Sequence, residues 1–221
     1  MIRLVLLSLI IHAPLMCYAQ LPKTIDYKGD TTSNYSISKH DANQYGLNDL
    51  KLSGMKRHFR FWTTDHVVEI WSADGISYLG NIMDFIYSYK KKRSLILKRD
   101  TIASSDIQQI IDSYNLLKID TISTDKKIAN YIFGNDGGDL IIESTTPETY
   151  SHKEYWEPSE QTARQCVAIN DFLIKLSTVL RFRKRYNDFI AGLPTGKYTI
   201  GMMIIEKTVG MNPKGGMVWR Y

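Results

Sequence analysis

Asp136, Asp139, Glu143, Glu148, His152 and Glu154 follow one another closely enough to form one chemical neighbourhood. Carboxylates held at a set separation divide the work of acid and base or nucleophile in hydrolysis. A histidine beside them adds a group that titrates near neutrality. Asp139, Glu143, His152 and Glu154 are therefore the candidate catalytic set, and an exported hydrolase is the chemistry they would serve. Asn135, Asp136 and Asp139 also offer oxygen ligands to calcium, but the alternating acidic ligands and distal glutamate of a calcium loop are out of place. The plainer reading of the whole group is a solvated loop.

Other pairings are weaker. Cys166 with His152 suggests a thiol nucleophile, yet Cys166 falls on the apolar stripe of a helix, where cysteine serves as a small hydrophobe. His58 and His66, with Asp65 adjacent, suggest two metal ligands across a strand pair. A zinc site needs three or four convergent ligands, and neither HExxH nor CxxC occurs, so no metal is expected. Gly192-Leu-Pro-Thr-Gly196-Lys197-Tyr198 resembles a phosphate loop one residue short, with tyrosine where a hydroxyl would meet magnesium. It also leads into a strand rather than a helix, so no cofactor is expected. For binding, the candidates are aromatic: Trp71 and Tyr78 on a strand pair, and Tyr155 and Trp156 in the segment from Tyr150 to Trp156. Aromatic rings suit contact surfaces, although on a sheet they often belong to the core.

These side chains need elements to position them. Asp136-Gly137-Gly138 is turn chemistry, Leu140-Ile141-Ile142 a short apolar strand, and Thr149–Trp156 a second extended piece. Pro158 with Ser159 and Glu160 suits the first turn of a helix. Ala163, Cys166, Val167, Ile169, Leu173, Leu176 and Leu180 then recur at helical spacing, opposite Arg164, Ala168, Asp171, Lys175 and Thr178. Upstream, Phe59 and Phe61 mark a strand. Asp74-Gly75 predicts a type I′ turn, which sets Ala73 opposite Ile76, Trp71 opposite Tyr78 and Ile70 opposite Leu79. Val68, Ile70 and Leu79 then share one face, and Val67, Trp71, Tyr78 and Ile82 the other. The strand continues through Phe85 and Tyr87, turns at Lys90–Arg93 and returns as Leu95-Ile96-Leu97; a helix over Ile82–Tyr89 competes. Ser105 with Gln108 resembles a capping box for a short helix carrying Ile107, Ile110, Ile111, Tyr114 and Leu117. Leu117, Ile119 and Thr121 alternate toward a further strand, and Tyr198–Ile205 is one more β-like run. Strands in a block, then helix, strands, a long helix and a last strand favour an α+β fold. Its mainly antiparallel sheet would pack against one long and one short amphipathic helix.

The front of the chain reads as an address. Arg3, the apolar run Leu4–Ile11 and the small residue at Ala19 fit a secretory signal peptide over 1–19, cleaved to leave Gln20 first. Met16 before Cys17 disfavours lipoprotein processing, and the apolar run is too short to span a bilayer. Residues 20–54 are polar and without period, which predicts a flexible leader ahead of a single domain over 55–221. Asn34-Tyr35-Ser36 is a glycosylation sequon by pattern. After cleavage Cys166 is the one remaining cysteine, so packing alone must hold the domain. The 221 residues carry 43% apolar and 23% charged side chains, an ordinary globular balance. A net charge of +5 is too small to demand a nucleic acid or a membrane. Lys90–Arg93 and Arg181–Arg185 read as a charged hairpin tip and the positive end of a helix, which favours acidic glycans or lipid headgroups over nucleic acid as partners.

Tyr155-Trp156-Glu157-Pro158 ahead of the long helix, followed by Leu193-Pro194-Thr195-Gly196-Lys197-Tyr198 entering a strand, resembles small exported proteins of unknown function from Bacteroidetes-type bacteria. The resemblance covers roughly Arg57 to Lys207 and implies a periplasmic or secreted setting. It assigns no catalytic residue. The expectation is a non-catalytic exported domain that binds a protein or surface ligand, with the hydrolase as one alternative. An antagonist that occupies an enzyme's cleft is another.

Overall fold

The computed structural model describes residues 24–25, 42–90, 93–134, 138–201 and 203–208. The signal peptide, the sequon, the Asp136-Gly137 turn, the middle of the Lys90–Arg93 cluster and the C-terminal tail lie outside the described residues. Nine strands form one sheet: Thr24–Ile25 (β1), Arg57–Trp62 (β2), His66–Ser72 (β3), Leu79–Ser88 (β4), Leu95–Thr101 (β5), Asp139–Thr145 (β6), Thr149–Trp156 (β7), Gly196–Ile200 (β8) and Met203–Lys207 (β9). Their order is β1-β7-β6-β2-β3-β4-β8-β9, and β5 pairs with β4. β1 runs parallel to β7, and the other pairings are antiparallel. Among the described residues three longer helices join it: Ser104–Leu116 (α1), Arg164–Leu180 (α2) and Phe182–Gly192 (α3). The fold is α+β with a mainly antiparallel sheet, as the order of the elements predicts.

Alternation along the strands divides the sheet into two faces. On the inner face Phe59, Phe61, Val68, Ile70, Ile82, Leu140 and Ile142 meet α1 and α2 in the principal core. α2 buries Cys166, Ile169, Phe172, Leu176 and Leu180. Val167, expected on its stripe, is 47% exposed, and Phe172 takes the central place against Phe61 and Tyr114. On the outer face Trp62, Val67, Met83 and Phe85 are covered by Ala42, Tyr45 and Leu47. The polar leader expected to reach Gly54 therefore ends earlier. Residues 42–52 form a helical turn and the 3-10 turn Leu50–Leu52, with Ala42, Tyr45, Leu47 and Leu50 buried. Tyr45 packs edge-on against both Trp62 and Phe85, which holds the segment to the sheet.

Other departures have local causes. The β3–β4 register is one residue from the expected one: Trp71 faces Leu79 and Ile70 faces Gly80. The Asp74 carboxylate accepts N–H bonds from Ile76 and Ser77 and a hydroxyl bond from Ser72, so the turn is a longer carboxylate-held loop. A shift of one residue exchanges faces; Ile82 joins the inner core and Leu79 stands beside Trp71. Gly80 is needed there, because a Cβ on it would stand 2.8 Å from the Glu69 carbonyl oxygen and 3.1 Å from Ile70 Cγ1. Gly80→Ala should cost about 1–3 kcal/mol of stability through this overpacking, read as a lower urea midpoint with an unchanged slope.

Ile82–Tyr89 follows its strand reading and not the helical one. α1 starts at Ser104 with Ala103 as N-cap and no side-chain cap, so Ser105 and Gln108 make no capping box; Gln108 bonds Asp112 instead. Ile119–Thr121 is a 3-10 turn, not a strand, because Lys118 adopts a left-handed conformation that reverses the chain. Pro158–Glu160 is likewise a separate 3-10 turn ahead of α2.

α3 replaces the charged helix end expected at Arg181–Arg185. Arg181 takes a left-handed conformation (φ 54°), closes α2, and lets a new helix begin. Phe182, Tyr186 and Phe189 form its buried stripe, hidden in the sequence among four basic residues. Tyr186, Phe189, Leu193, Tyr198, Ile200 and Ile205 pack with Ile86 in a third core. Tyr198–Ile205 is a hairpin rather than one run, since Gly201 (φ 51°) turns the chain between β8 and β9.

Candidate functional site

The expected catalytic residues share the outer face of the β6–β7 hairpin but sit at unequal depths. Glu143 and His152 face each other on paired strands β6 and β7, in place of a solvated loop, and both are buried on the outer face. Both oxygens of the Glu143 carboxylate are engaged: Oε2 accepts from Trp62 Nε1 at 2.8 Å and Oε1 from the Tyr150 hydroxyl at 2.7 Å. Asp139 is exposed at the far end of the hairpin, opposite Trp156, and Glu154 is half-buried opposite Ile141. Desolvation, then the like charges of Asp125 and Glu157, raise the Asp139 carboxyl above its ordinary value. Glu148 is an exposed turn residue bonded to Thr146.

The other pairings separate as well. Cys166 lies on the inner side of the sheet and His152 on the outer side, so the thiol has no imidazole there. Burial, then the charge of Asp125, pushes the Cys166 thiol up, away from the reactive thiolate. His58 and His66 stand at opposite ends of the β2–β3 pair, since His58 faces Trp71. No three metal-binding side chains are grouped among the described residues. His66 has a structural setting: its ring stacks on Phe182 at 4.2 Å, with Nδ1 2.6 Å from Asp65 and Nε2 3.3 Å from Asp84. Arg185 of α3 bonds Asp84 at 3.0 Å and Asp100 at 2.7 Å, tying the helix to β4 and β5. Burial raises the Asp84 carboxyl in spite of the Arg185 guanidinium.

The polar chemistry of the outer face gathers around a residue the sequence reading passed over. Arg60 is 1% exposed, and strand pairing sets it opposite Glu69 on one side and Glu143 on the other. Its Nη2 donates to Glu69 Oε1 at 2.6 Å and to the Asn48 carbonyl at 2.8 Å, and its Nη1 lies 3.5 Å from Glu143 Oε2. A signal existed: Phe59-Arg60-Phe61 and Val68-Glu69-Ile70 each bury a charge between apolar neighbours, and the charges are opposite. Buried charges are paired.

His58 extends this network to a groove. Its Nε2 lies 3.1 Å from Glu69 Oε1, and its Nδ1 lies 2.9 Å from the Ser53 hydroxyl. Ser53 Oγ also accepts the Met55 N–H at 3.2 Å. The groove, about 700 Å³, runs between residues 43–55 and the edge of the sheet's outer face; Leu52, Ser53, Met55, His58, Trp71 and Arg99 border it. Trp71 is partly exposed, its ring 6.1 Å from that of His58, and its strand partner Leu79 is 60% exposed. None of Asp139, Glu143, His152 and Glu154 lines this groove.

The aromatic candidates divide accordingly. Trp71 borders the groove, whereas Tyr78 packs partly against the principal core and lines a separate hollow beside Asp74 and Glu148. Tyr155 is wholly buried on the inner face, so it offers no contact surface; its hydroxyl donates to the Ile122 carbonyl at 3.4 Å. Trp156 is half-buried, and a Cβ on Gly134 would stand 2.5 Å from its ring. No protein-family model, curated protein or solved structure matches the chain. No helix among the described residues is long and apolar enough to cross a membrane.

Burial opposes ionisation of Glu69, but the His58 hydrogen bond and the Arg60 charge outweigh it and hold the carboxyl at about 2. A carboxyl depressed on folding stabilises the protein above its unfolded value, here 4.5, and loses that contribution as pH falls toward 2. Asp84, Asp125 and Asp139 are raised instead, so protonating them in acid favours the folded state. The difference between wild type and Glu69→Gln isolates the Glu69 share. Urea midpoints at pH 6 and pH 3 should give wild type an acid loss larger than the variant's by on the order of 2–3 kcal/mol.

Proposed function

We propose that the chain is an exported binding domain that holds a surface ligand with an apolar face and a polar edge in the groove beside Trp71. The observation that carries this reading is the groove itself, a concavity of about 700 Å³ walled by a partly exposed tryptophan and by His58, Glu69 and Arg99. Ligand sites are concave, with aromatic walls and a few placed polar groups. Leu52, 72% exposed at the rim, adds apolar surface of the kind a ligand would cover. Export rests on the leader pattern at 1–19, and the mature chain should begin at Gln20 on N-terminal sequencing of secreted material. A hydrolase built on Asp139, Glu143, His152 and Glu154 is the weaker reading, because Asp139 is exposed while Glu143 is buried and already bonded by Trp62 and Tyr150.

The test is amide and indole NMR of the labelled mature chain, titrated with a panel of oligosaccharides and short peptides. Binding should shift the Trp71 indole N–H and the amides of Ser53 and Arg99, and Trp71→Ala should weaken it at least tenfold. Perturbations confined to the hollow at Tyr78, or to the surface of α3, would reject the groove as the ligand site.

A further inference from the structure

Ser53, His58 and Glu69 form a continuous hydrogen-bonded chain ending on the wall of the groove. The chain has a direction. An ionised carboxylate only accepts hydrogen bonds, and Glu69 is held ionised beside Arg60. In the neutral ring of His58, Nε2 must therefore carry the proton that faces Glu69, which leaves the Nδ1 lone pair turned to the Ser53 hydroxyl. Ser53 donates to that lone pair and accepts the Met55 N–H on its oxygen. A serine whose proton is already directed at a base, itself oriented by a carboxylate, is the arrangement that activates a hydroxyl nucleophile.

We infer that Ser53 is an acyl-accepting nucleophile and that the groove cleaves carboxylic esters with an apolar portion lying against Leu52, Met55 and Trp71. The inference rests on the groove being the ligand site. Ser53 Oγ attacks the ester carbonyl carbon while its proton passes to His58 Nδ1. The tetrahedral intermediate collapses by breaking the bond to the ester oxygen, and the departing alkoxide takes the proton from Nδ1 and leaves as the alcohol. Water then gives a proton to Nδ1 as it attacks the acyl-Ser53 carbonyl. Release of the carboxylic acid returns that proton to Ser53, so no oxidant, metal or cofactor enters the balance. Glu69 accepts the Nε2 hydrogen throughout and stabilises the transient imidazolium. Arg60, on the same carboxylate oxygen, is a positioning residue that keeps Glu69 ionised and fixed.

A fluorophosphonate probe and p-nitrophenyl butyrate, applied to the mature chain, test this directly. Mass spectrometry should place the phosphonyl adduct on Ser53, and butyrate release should disappear in Ser53→Ala. His58→Asn should slow both labelling and turnover by at least about 100-fold, with folding followed by urea unfolding. The rate should rise with pH through the titration of one group and lose that dependence in His58→Asn. The labelling of wild type needs no variant to fold. An adduct elsewhere or none at all, in a protein whose Trp71 indole still shifts with ligand, overturns the nucleophile and leaves the groove standing. If the indole shifts with no ligand yet Ser53 is labelled, the ligand panel was wrong and the nucleophile stands.

Discussion

Arg60→Met should lower the stability of the folded chain by about 3–5 kcal/mol, the cost of stranding a buried charge without its partner. Two carboxylates depend on this one guanidinium, Glu69 on β3 and Glu143 on β6, with Arg60 between them on β2. Glu143 retains the Trp62 and Tyr150 donors, and Glu69 retains His58, so the loss falls in that range rather than above it. The Asn48 carbonyl also loses its donor, which loosens the covering segment over the sheet. Chemical unfolding at pH 7 measures the effect. Arg60→Lys should recover part of it, because an ammonium keeps the charge without the forked geometry that serves several acceptors at once. Equal stability of wild type and Arg60→Met would mean that the carboxylates are hydrated and the outer-face network is not buried as described.

Phe172→Ala should be comparably costly for an unrelated reason. Phe172 is wholly buried at the centre of α2, its ring 5.2 Å from that of Phe61 and 5.5 Å from that of Tyr114. Removing it empties a space where sheet, α1 and α2 meet, and truncating a buried phenylalanine typically costs about 3–5 kcal/mol. Phe172→Leu keeps most of the volume and should cost under about 1.5 kcal/mol. Urea midpoints of the two variants separate cavity formation from a general intolerance of change. A destabilisation of Val167→Ala equal to that of Phe172→Ala would contradict the facing of α2, since Val167 looks outward.

Where the hydrophobic pattern is dense, the fold was readable in advance. The stripe through Cys166, Ile169, Leu176 and Leu180 announced α2, and the apolar runs around Phe59, Val68 and Ile141 announced strands. The readable signal failed where a few buried residues are diluted by polar ones. Ala42, Tyr45, Leu47 and Leu50 are interleaved with Asn43, Gln44, Asn48 and Asp49, so a covering segment looked like a leader. Phe182, Tyr186 and Phe189 vanished behind Arg181, Arg183, Lys184 and Arg185 in the same way. The hairpin register failed for a different reason, because the side chain of Asp74 competes for the turn's N–H groups and lengthens it.

Of the functional candidates, Trp71 lies at the groove that now carries the reading. The carboxylates Asp139, Glu143 and Glu154 drew attention by their density in sequence; strand pairing sets them on one face, but from exposed Asp139 to buried Glu143 their surroundings differ. His58 meets Glu69 through the pairing of β2 with β3, and Ser53 joins them because the segment before β2 folds back toward that pair, a return no spacing in one dimension encodes. Arg60 was legible in principle, as a charge lodged between two phenylalanines.

One edge of β4 is divided between two neighbours. β3 pairs with it from Leu79 to Asp84, whereas β8 reaches it through Tyr87 and Ser88, with the Tyr89 N–H just beyond bonding the Lys197 carbonyl. The third core, under α3, is thus hinged to the main sheet by a short ladder, by Ile86 and by the Arg185 tie. Cooperative units with fewer shared bonds open at lower free energy. Amide protons of β8 and β9 should therefore exchange with solvent through a partial opening that leaves β2, β3 and β6 protected, which native-state hydrogen exchange would show as faster exchange of 196–207 than of 57–72.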